Sequence, residues 1–225
     1  MLHNQARCVE EPVEALHTEQ RVFDPIIILG QPRSGSSMTA GLFHHHGVWT
    51  GGCRPPGPYN DKGFFENIKI KKIIVKEHKA IVQKSLLATE KPGFRERVEQ
   101  AILEDGYIEG PWLWKGSAMY WPAFFEFDCQ FVVVNRPREQ IFKSTRRSGM
   151  LSKALTTDEL YANIDFHQQQ MDYLVEEKDA VRVNTAELVN GDFTSIEAAL
   201  TKCGLEFNEQ VTLDFVEPKL WHYHT

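Results

Sequence analysis

A short apolar run followed by a glycine-containing turn constrains the fold of this chain more than any other feature. Residues 25–30 (PIIILG) are predicted to form a buried strand, because β-branched isoleucines run together and a turn follows. Residues 36–46 are predicted to form a helix that ends at Gly47. A helix that starts after a glycine turn presents unpaired N–H groups and a partial positive charge. The sequence therefore predicts an anion-binding loop at residues 30–37.

This loop lacks the lysine that ATP- and GTP-binding loops carry. Gly30 and Gly35 have the spacing of such a loop, but Ser36 and Ser37 follow where Lys-Ser or Lys-Thr would stand. In kinases and GTPases that lysine reaches the terminal phosphates, and Mg²⁺ is held by the loop hydroxyl and a strand-end Asp. The loop offers an arginine and three hydroxyl groups instead, from Arg33, Ser34, Ser36 and Ser37.

The strand predicted at residues 130–135 (QFVVVN) points to the same kind of site. It ends at Asn135 and is followed by Arg136, where a nucleotide-hydrolysing protein would have an acid that holds Mg²⁺. We therefore expect arginine and hydroxyl groups, without a metal, to hold the anion.

The rest of the chain alternates predicted strands and helices around one long loop, residues 51–64, which is rich in Gly, Pro, Asn and Asp. Further strands are predicted at residues 112–115 and 181–183, and helices at residues 66–88, 94–104, 137–147, 157–178 and 195–203. This alternation favours an α/β fold of three layers, with a central, mostly parallel sheet flanked by helices, like that of P-loop NTPases. We expect one domain, residues 1–225, with residues 1–24 as an N-terminal arm.

Composition and charge narrow the classes of function. The formal net charge of −6 argues against a nucleic-acid partner, which would need a broadly basic surface. No apolar run approaches the roughly 20 residues that span a bilayer. The N-terminal residues are polar and acidic, unlike a secretory signal. The four cysteines form no CxxC pair. We expect a cytoplasmic protein without a membrane span, a zinc site or a disulfide framework.

Several stretches resemble the sulfotransferases of the bacterial and phage type, which use 3′-phosphoadenosine-5′-phosphosulfate (PAPS) as donor. Residues 32–37 (PRSGSS), after the first strand, resemble the 5′-phosphosulfate loop of that family. Residues 131–149 resemble its 3′-phosphate segment, in which a strand delivers an Arg and a Ser follows eight positions later. Arg136 and Ser144 have that spacing. An arginine fork supplies paired, charge-assisted hydrogen bonds to a phosphate.

Two more stretches extend the resemblance to roughly residues 25–222. Residues 61–67 (DKGFFEN) resemble the K-G-[FY]-F-E segment of the family and carry Glu66 at the start of the predicted long helix. Residues 183–207 resemble its late strand, acidic segment and packing helix.

A further stretch resembles the family but departs from it at two positions. Residues 111–118 (GPWLWKGS) resemble the strand that brings a lysine to the cleft, here Lys115. Relatives often continue Lys-Asp-Pro, or carry a His two residues after the lysine. This chain has Gly116 and Ser117 there.

The resemblance implies a P-loop-like fold, a reaction and a set of site residues. The reaction would move a sulfuryl group in line from PAPS, without a metal, to a hydroxyl or amine of an unidentified small-molecule, glycan or peptide acceptor. The implied donor-binding residues are Arg33, Ser34, Gly35, Ser36, Ser37, Arg136 and Ser144. The implied catalytic residues are Arg33, Lys115 and Glu66, of which Glu66 is the first candidate for the general base.

The histidines are the alternatives to Glu66 as base. His44, His45 and His46 are consecutive on a helix, so they point about 100° apart and cannot all enter one site. His167 lies on the apolar stripe of the helix at residues 157–178, where we expect a satisfied core residue.

Two other functions stay open at this level. One is a non-catalytic member of the fold that binds a nucleotide or a partner protein, which the change at Gly116 and Ser117 favours. The other is a divergent P-loop kinase, which would need a lysine and an acid that the two motifs lack.

Overall fold

The structure is a computed structural model that describes residues 22–57, 60–83, 93–149 and 155–217. Its four strands are β1 (Ile26–Gly30), β2 (Leu113–Ser117), β3 (Gln130–Asn135) and β4 (Val181–Asn184). They form one sheet in the order β2-β1-β3-β4, and every neighbouring pair is parallel. Gly30 is in register with Ser117 on one side and Val134 on the other. The carboxyl ends of β1, β2 and β3 therefore meet at one edge of the sheet.

Helices follow or separate the strands along the described residues. They are α1 (Ser36–His45), α2 (Ile68–Gln83), α3 (Phe94–Leu103), α4 (Arg138–Ser148), α5 (Thr157–Glu177), α6 (Thr185–Leu188), α7 (Thr194–Lys202) and α8 (Glu209–Phe215). A 3₁₀-helix at Ala118–Phe124 follows β2 directly.

The core lies on both faces of the sheet because its strands are apolar on both sides. Ile27 and Leu29 of β1 face a cluster built with α2, α3, α5 and the 3₁₀-helix. Ile26 and Ile28 face a second cluster built with α1, α7 and the residues around α8. Strands that are buried on both faces have continuous hydrophobic sequences, as β1 does here. The three-layer α/β fold with a parallel sheet, expected from the sequence, is confirmed.

The start of α2 differs from the sequence prediction, which placed it at Glu66. Asn67 is 1% exposed, and its Oδ1 atom accepts a hydrogen bond from the backbone N–H of Ile70 at 3.0 Å. This is the bond of an N-cap residue, so the helix begins at Ile68 and Glu66 lies before it. The predicted end of this helix, residues 84–88, lies outside the described residues.

Three short elements escaped the sequence analysis: the 3₁₀-helix, α6 and α8. Each spans seven residues or fewer, which is too short for a repeating apolar pattern to show. The predicted arm at residues 1–24 lies almost wholly outside the described residues, and the single domain stays a prediction. Within the described part of the chain, no helix combines the length and the apolar character that crossing a membrane requires.

Candidate active site

The turn between β1 and α1 forms the floor of the candidate site. Gly35 precedes α1 with a φ of 97°, and no side chain caps this helix. The N–H groups of the first turn, which begins at Ser36, are therefore left to bind a ligand. A Cβ atom at Gly35 would lie 2.8 Å from the Cγ2 atom of Thr185. The positive φ and this close approach together require glycine at position 35.

The side chain of Thr185 stabilises the turn between β1 and α1. Its Oγ1 atom lies 2.7 Å from the carbonyl oxygen of Ser34 and 3.0 Å from that of Asn135. The side chain of Ser34 is fully buried, close to Gly30, and does not line the cleft. Of the three serines of the loop, Ser36 and Ser37 line the cleft, whereas Ser34 shapes the turn.

An arginine cluster joins the loop to β3 and α4. The Nε atom of Arg33 donates a hydrogen bond to the Oγ atom of Ser144 at 3.0 Å, and the Nη1 atom of Arg136 donates to the carbonyl oxygen of Arg33 at 2.9 Å. Arg136 and Ser144 are both buried, at 7% and 3% exposure. Arg33 has a positive φ of 74°, which is uncommon for a residue with a side chain. The bond from Arg136 holds this backbone conformation.

A lysine from β2 reaches the start of α1. The Nζ atom of Lys115 donates a hydrogen bond to the Oγ atom of Ser37 at 3.1 Å. It also lies 3.0 Å from a carboxylate oxygen of Glu66, whose other oxygen lies 2.6 Å from the Nζ atom of Lys71. The side chains of Lys115 and Glu66 are only 6% and 17% exposed. Glu66 therefore holds Lys115 against the loop, with Lys71 on its outer side.

Burial and neighbouring charges have opposite effects on the pKa values of Lys115 and Glu66. Burial lowers the pKa of Lys115, and the neighbouring Glu66 carboxylate only partly offsets that effect. Burial alone would raise the pKa of Glu66, but the charges and hydrogen bonds of Lys115 and Lys71 outweigh it and bring the pKa below its usual range. Glu66 is thus an ionised partner of two lysines.

The two arginines and the lysine-glutamate group line one cleft of about 420 Å³, whereas Ser144 and Thr185 are not part of its described lining. Six basic side chains and two acidic ones, Glu66 and Glu217, contribute to its described lining. The basic ones are Arg33, Arg54, Lys62, Lys71, Lys115 and Arg136. The cleft is cationic although the chain as a whole carries a formal charge of −6. A cationic cleft in an acidic protein indicates an anionic ligand.

Aromatic side chains form part of the cleft wall. Phe64, Trp114, Tyr120 and Phe215 line it, and the Arg54 guanidinium lies 4.3 Å from the centre of the Phe64 ring. Trp114 is 1% exposed and belongs to the core as well as to this wall, whereas Trp112 lies in the core alone. Phe64, Tyr120 and Phe215 give this wall apolar faces beside the cationic groups.

The three consecutive histidines lie at the end of α1 and are not part of the described lining of the cleft. His44 and His46 contact backbone carbonyl groups through Nδ1, and His45 packs against Phe215. His167 is buried on the apolar stripe of α5, as expected. Its Nε2 atom, however, lies 2.7 Å from the Oγ atom of Ser117, which does line the cleft.

The structure thus brings together most of the residues that the sequence singled out. Arg33, Arg136 and Ser144 form one group, and Ser36, Ser37, Lys115 and Glu66 form the other. The sequence analysis missed Lys71, Thr185 and the contact of His167 with Ser117. Lys71 follows Glu66 by only five residues and could have been suspected from its charge. Thr185 and the contact of His167 with Ser117 carry no local signal, because the residues that meet are 50 or more positions apart.

Among the described residues, no group of three or more His, Cys, Asp and Glu side chains is placed to hold a metal ion.

Comparisons of sequence and of structure give different results. No protein-family model matches the sequence, and no curated protein matches it significantly. The structure is similar to the sulfotransferase domain of the olefin synthase from Synechococcus PCC 7002, with a TM-score of 0.55 and 14% identity, covering 92% of this chain and 90% of that one. It is also similar to sulfotransferase STF1 from Mycobacterium tuberculosis H37Rv, with a TM-score of 0.56 and 12% identity, covering 88% and 72% of the two chains. The chain therefore has the fold of sulfotransferase domains.

Proposed function

We propose that this protein is a sulfotransferase that uses PAPS as donor and a hydroxyl or amine of a small molecule, glycan or peptide as acceptor. One observation carries the proposal. The loop after β1 meets the unit formed by β3 and α4, and both segments are joined at Arg33. Arg33 of the loop donates to Ser144, and its carbonyl oxygen accepts from Arg136, at sequence separations of 111 and 103 residues.

The donor groups of the cleft fit a ligand with two separate anionic ends. Arg33 and Arg136 line the cleft and offer guanidinium donors, which suit a phosphate monoester, and Ser144 positions the Arg33 guanidinium from outside the described lining. The start of α1, with Ser36, Ser37 and Lys115, offers backbone N–H groups, hydroxyls and an ammonium group for a second anion. PAPS carries a 3′-phosphate and a 5′-phosphosulfate, and it would supply the sulfuryl group that is transferred.

The position of Lys115 supports a role in stabilising charge during transfer. As a sulfuryl group leaves a phosphate, negative charge grows on the phosphate oxygen. Lys115 is held beside Ser37 by the carboxylate of Glu66, in a cleft wall that also includes Trp114. Donors fixed in advance in this way need no rearrangement during the reaction. We assign Lys115 this role, and Glu66 the role of holding Lys115 in place.

Nucleotide binding provides the first test. Isothermal titration calorimetry would compare 3′-phosphoadenosine-5′-phosphate (PAP) with ATP and Mg²⁺. We expect PAP to bind more tightly, because only PAP places a phosphate at each end of the cleft. Tighter binding of ATP, dependent on Mg²⁺, would contradict the proposal and favour a kinase.

Transfer provides the second test. The protein is incubated with ³⁵S-labelled PAPS and a panel of sugars, phenols and peptides, and labelled products are separated by chromatography. We expect label on at least one class of acceptor. Tight PAP binding without any transfer would instead identify a non-catalytic nucleotide-binding protein.

A further inference from the structure

The hydroxyl of Ser117 is hydrogen-bonded to a buried histidine, although the position of Ser117 in the chain is one where serine usually caps a helix. Ser117 is the last residue of β2 and the N-cap residue of the 3₁₀-helix that follows. Serine at such a position usually accepts a hydrogen bond from the next turn, but Ser117 makes no side-chain cap bond. Its Oγ atom lies instead 2.7 Å from the Nε2 atom of His167 on α5.

The surroundings of His167 determine which way this hydrogen bond runs. The Nδ1 atom of His167 lies 2.8 Å from the backbone carbonyl oxygen of Asn163, which can only accept, so Nδ1 carries a proton. Burial lowers the pKa of His167, and the carbonyl contact opposes this effect only in part, so the ring is neutral near pH 7. Nε2 is therefore a bare acceptor, and the Ser117 hydroxyl donates to it.

This pair lies at the edge of the sheet where the other site residues meet. Ser117 is two residues after Lys115 on β2, and in register with Gly30, the last residue of β1 before the loop. All three residues line the cleft. His167 is 4% exposed, and among the described contacts it is connected to the cleft through Ser117.

The other candidate for a base in the cleft is less suited to accept a proton. Both carboxylate oxygens of Glu66 face lysine ammonium groups, at 3.0 Å and 2.6 Å. These charges stabilise the ionised carboxylate and make it a weaker base. The bare Nε2 atom of His167 has no such cation bonded to it among the described contacts.

We propose that Ser117 and His167 form a proton relay that activates a hydroxyl acceptor. The acceptor O–H gives its proton to Ser117 Oγ while the Ser117 proton moves to His167 Nε2, which leaves an imidazolium. The acceptor oxygen forms its bond to the sulfuryl sulfur as the bond between that sulfur and the donor phosphate oxygen breaks. The electron pair of the broken bond stays on the phosphate. This inference rests on the proposed sulfotransferase function.

Four variants test the relay. Ser117→Ala removes the hydroxyl, and Ser117→Thr keeps it. His167→Gln retains a hydrogen-bond acceptor but cannot take up the proton. His46→Asn is the matched control, because His46 is also bonded to a backbone carbonyl but lies outside the described lining of the cleft.

The kinetic experiment uses ³⁵S-labelled PAPS with phenol, with the more acidic 4-nitrophenol, and with water alone. Loss of a general base typically costs 10²–10⁴-fold in rate. We expect Ser117→Ala and His167→Gln to lower kcat with phenol by about 10²-fold or more, and to lower it less with 4-nitrophenol, which needs less help to lose its proton. Ser117→Thr and His46→Asn should keep most of the activity, and all four variants should bind PAP within about twofold of the unmodified protein.

A spectroscopic measurement tests the arrangement without turnover. ¹⁵N-edited NMR of the unmodified protein at pH 7 should show His167 protonated at Nδ1 and not at Nε2. The Nε2 resonance should move in Ser117→Ala and stay in place in His46→Asn.

Several results would overturn the relay while leaving donor binding intact. These are equal losses of kcat with both phenols, unchanged turnover in Ser117→Ala and His167→Gln, or a proton found on His167 Nε2. A protein that binds PAP but transfers to neither phenol nor to water would also overturn it. Failure of the unmodified protein to bind PAP would instead refute the proposed function itself.

Discussion

The ammonium nitrogen of Lys115 lies 3.1 Å from the hydroxyl oxygen of Ser37, although the two residues are 78 positions apart in the chain. Ser37 is in the first turn of α1, and Lys115 is on the strand that pairs with β1. The loop between β1 and α1 lacks the lysine of ATP- and GTP-binding loops. The adjacent parallel strand brings a lysine to that loop from a different direction.

This arrangement predicts that Lys115 acts on the rate of transfer. Lys115→Met should lower kcat about 10²-fold, the typical loss when one fixed donor to a developing charge is removed. The ³⁵S transfer assay measures it. Lys72→Met, at an exposed position on α2, is the control and should leave kcat unchanged. Equal effects of the two substitutions would mean that Lys115 contributes only general positive charge.

Arg136 is predicted to select the 3′-phosphorylated nucleotide. Arg136→Ala should weaken binding of PAP by about 1.5–3 kcal/mol, the range for hydrogen bonds to charged groups, and should weaken binding of adenosine 5′-phosphate far less. Calorimetry with both nucleotides measures the ratio of the two losses. Arg138→Ala is the matched control, because Arg138 is exposed and its guanidinium is paired with Asp165 at 2.7 Å. Equal losses for both nucleotides in Arg136→Ala would contradict the assignment.

Glu66 is predicted to stabilise the fold through Lys115. Glu66→Gln leaves the buried ammonium group without its carboxylate, so the free energy of unfolding should fall by about 3 kcal/mol, the lower end for a broken buried pair. Glu217→Gln is the control at the rim of the cleft, where Glu217 and Lys62 are 34% and 24% exposed. It should cost less than about 1 kcal/mol. Urea unfolding measures both values, and similar losses would show that the Glu66 pair is no stronger than a surface pair.

His167 is predicted to make stability depend on pH. Burial lowers its pKa in the folded protein, so below about pH 6.5 the unfolded chain binds a proton that the folded protein does not. This contribution to stability is therefore full above that pH and is lost as the pH falls. The melting temperature should drop less steeply between pH 6.5 and 5 in His167→Gln than in the unmodified protein. Calorimetric melting curves measure the two slopes, and identical slopes would contradict the assigned burial.

Position 116 is predicted to need glycine, because a larger side chain there would clash with the indole ring of Trp114. A Cβ atom at position 116 would fall inside contact distance of that ring, which is 1% exposed and packed in the core. Gly116→Ala should therefore cost about 1–3 kcal/mol, as overpacking does. Gly57→Ala is the control, because its Cβ would lie an ordinary 3.5 Å from the Phe64 ring. Thermal melting compares the two, and equal stability would mean that the Trp114 ring has room to shift.

The local parts of this protein could be predicted from its sequence. The isoleucines of β1 and the valines of β3 identified the central strands, and the turn with Gly35 identified the start of α1, because strand propensity and turn chemistry depend on neighbouring residues. Arg136 and Ser144 were selected by their spacing, which resembles that of a family segment, and both contact Arg33 in the structure. The exact start of α2 was missed. The hydrogen bond that Asn67 accepts from the N–H of Ile70 sets this start, and the apolar pattern of the helix does not reveal it.

The contacts between distant segments were decided only by the tertiary structure. The sequence by itself determined a glycine turn between a strand and a helix on a parallel sheet, and it selected Lys115 and Glu66 by resemblance to a family. It gave no sign that Ser117 meets His167, or that Thr185 supports the turn, because those contacts depend on which strands are neighbours and on how α5 packs across them. Strand order and helix packing bring residues 50 to 151 positions apart within hydrogen-bonding distance. Such contacts depend on burial of the whole core, and no short stretch of sequence specifies them.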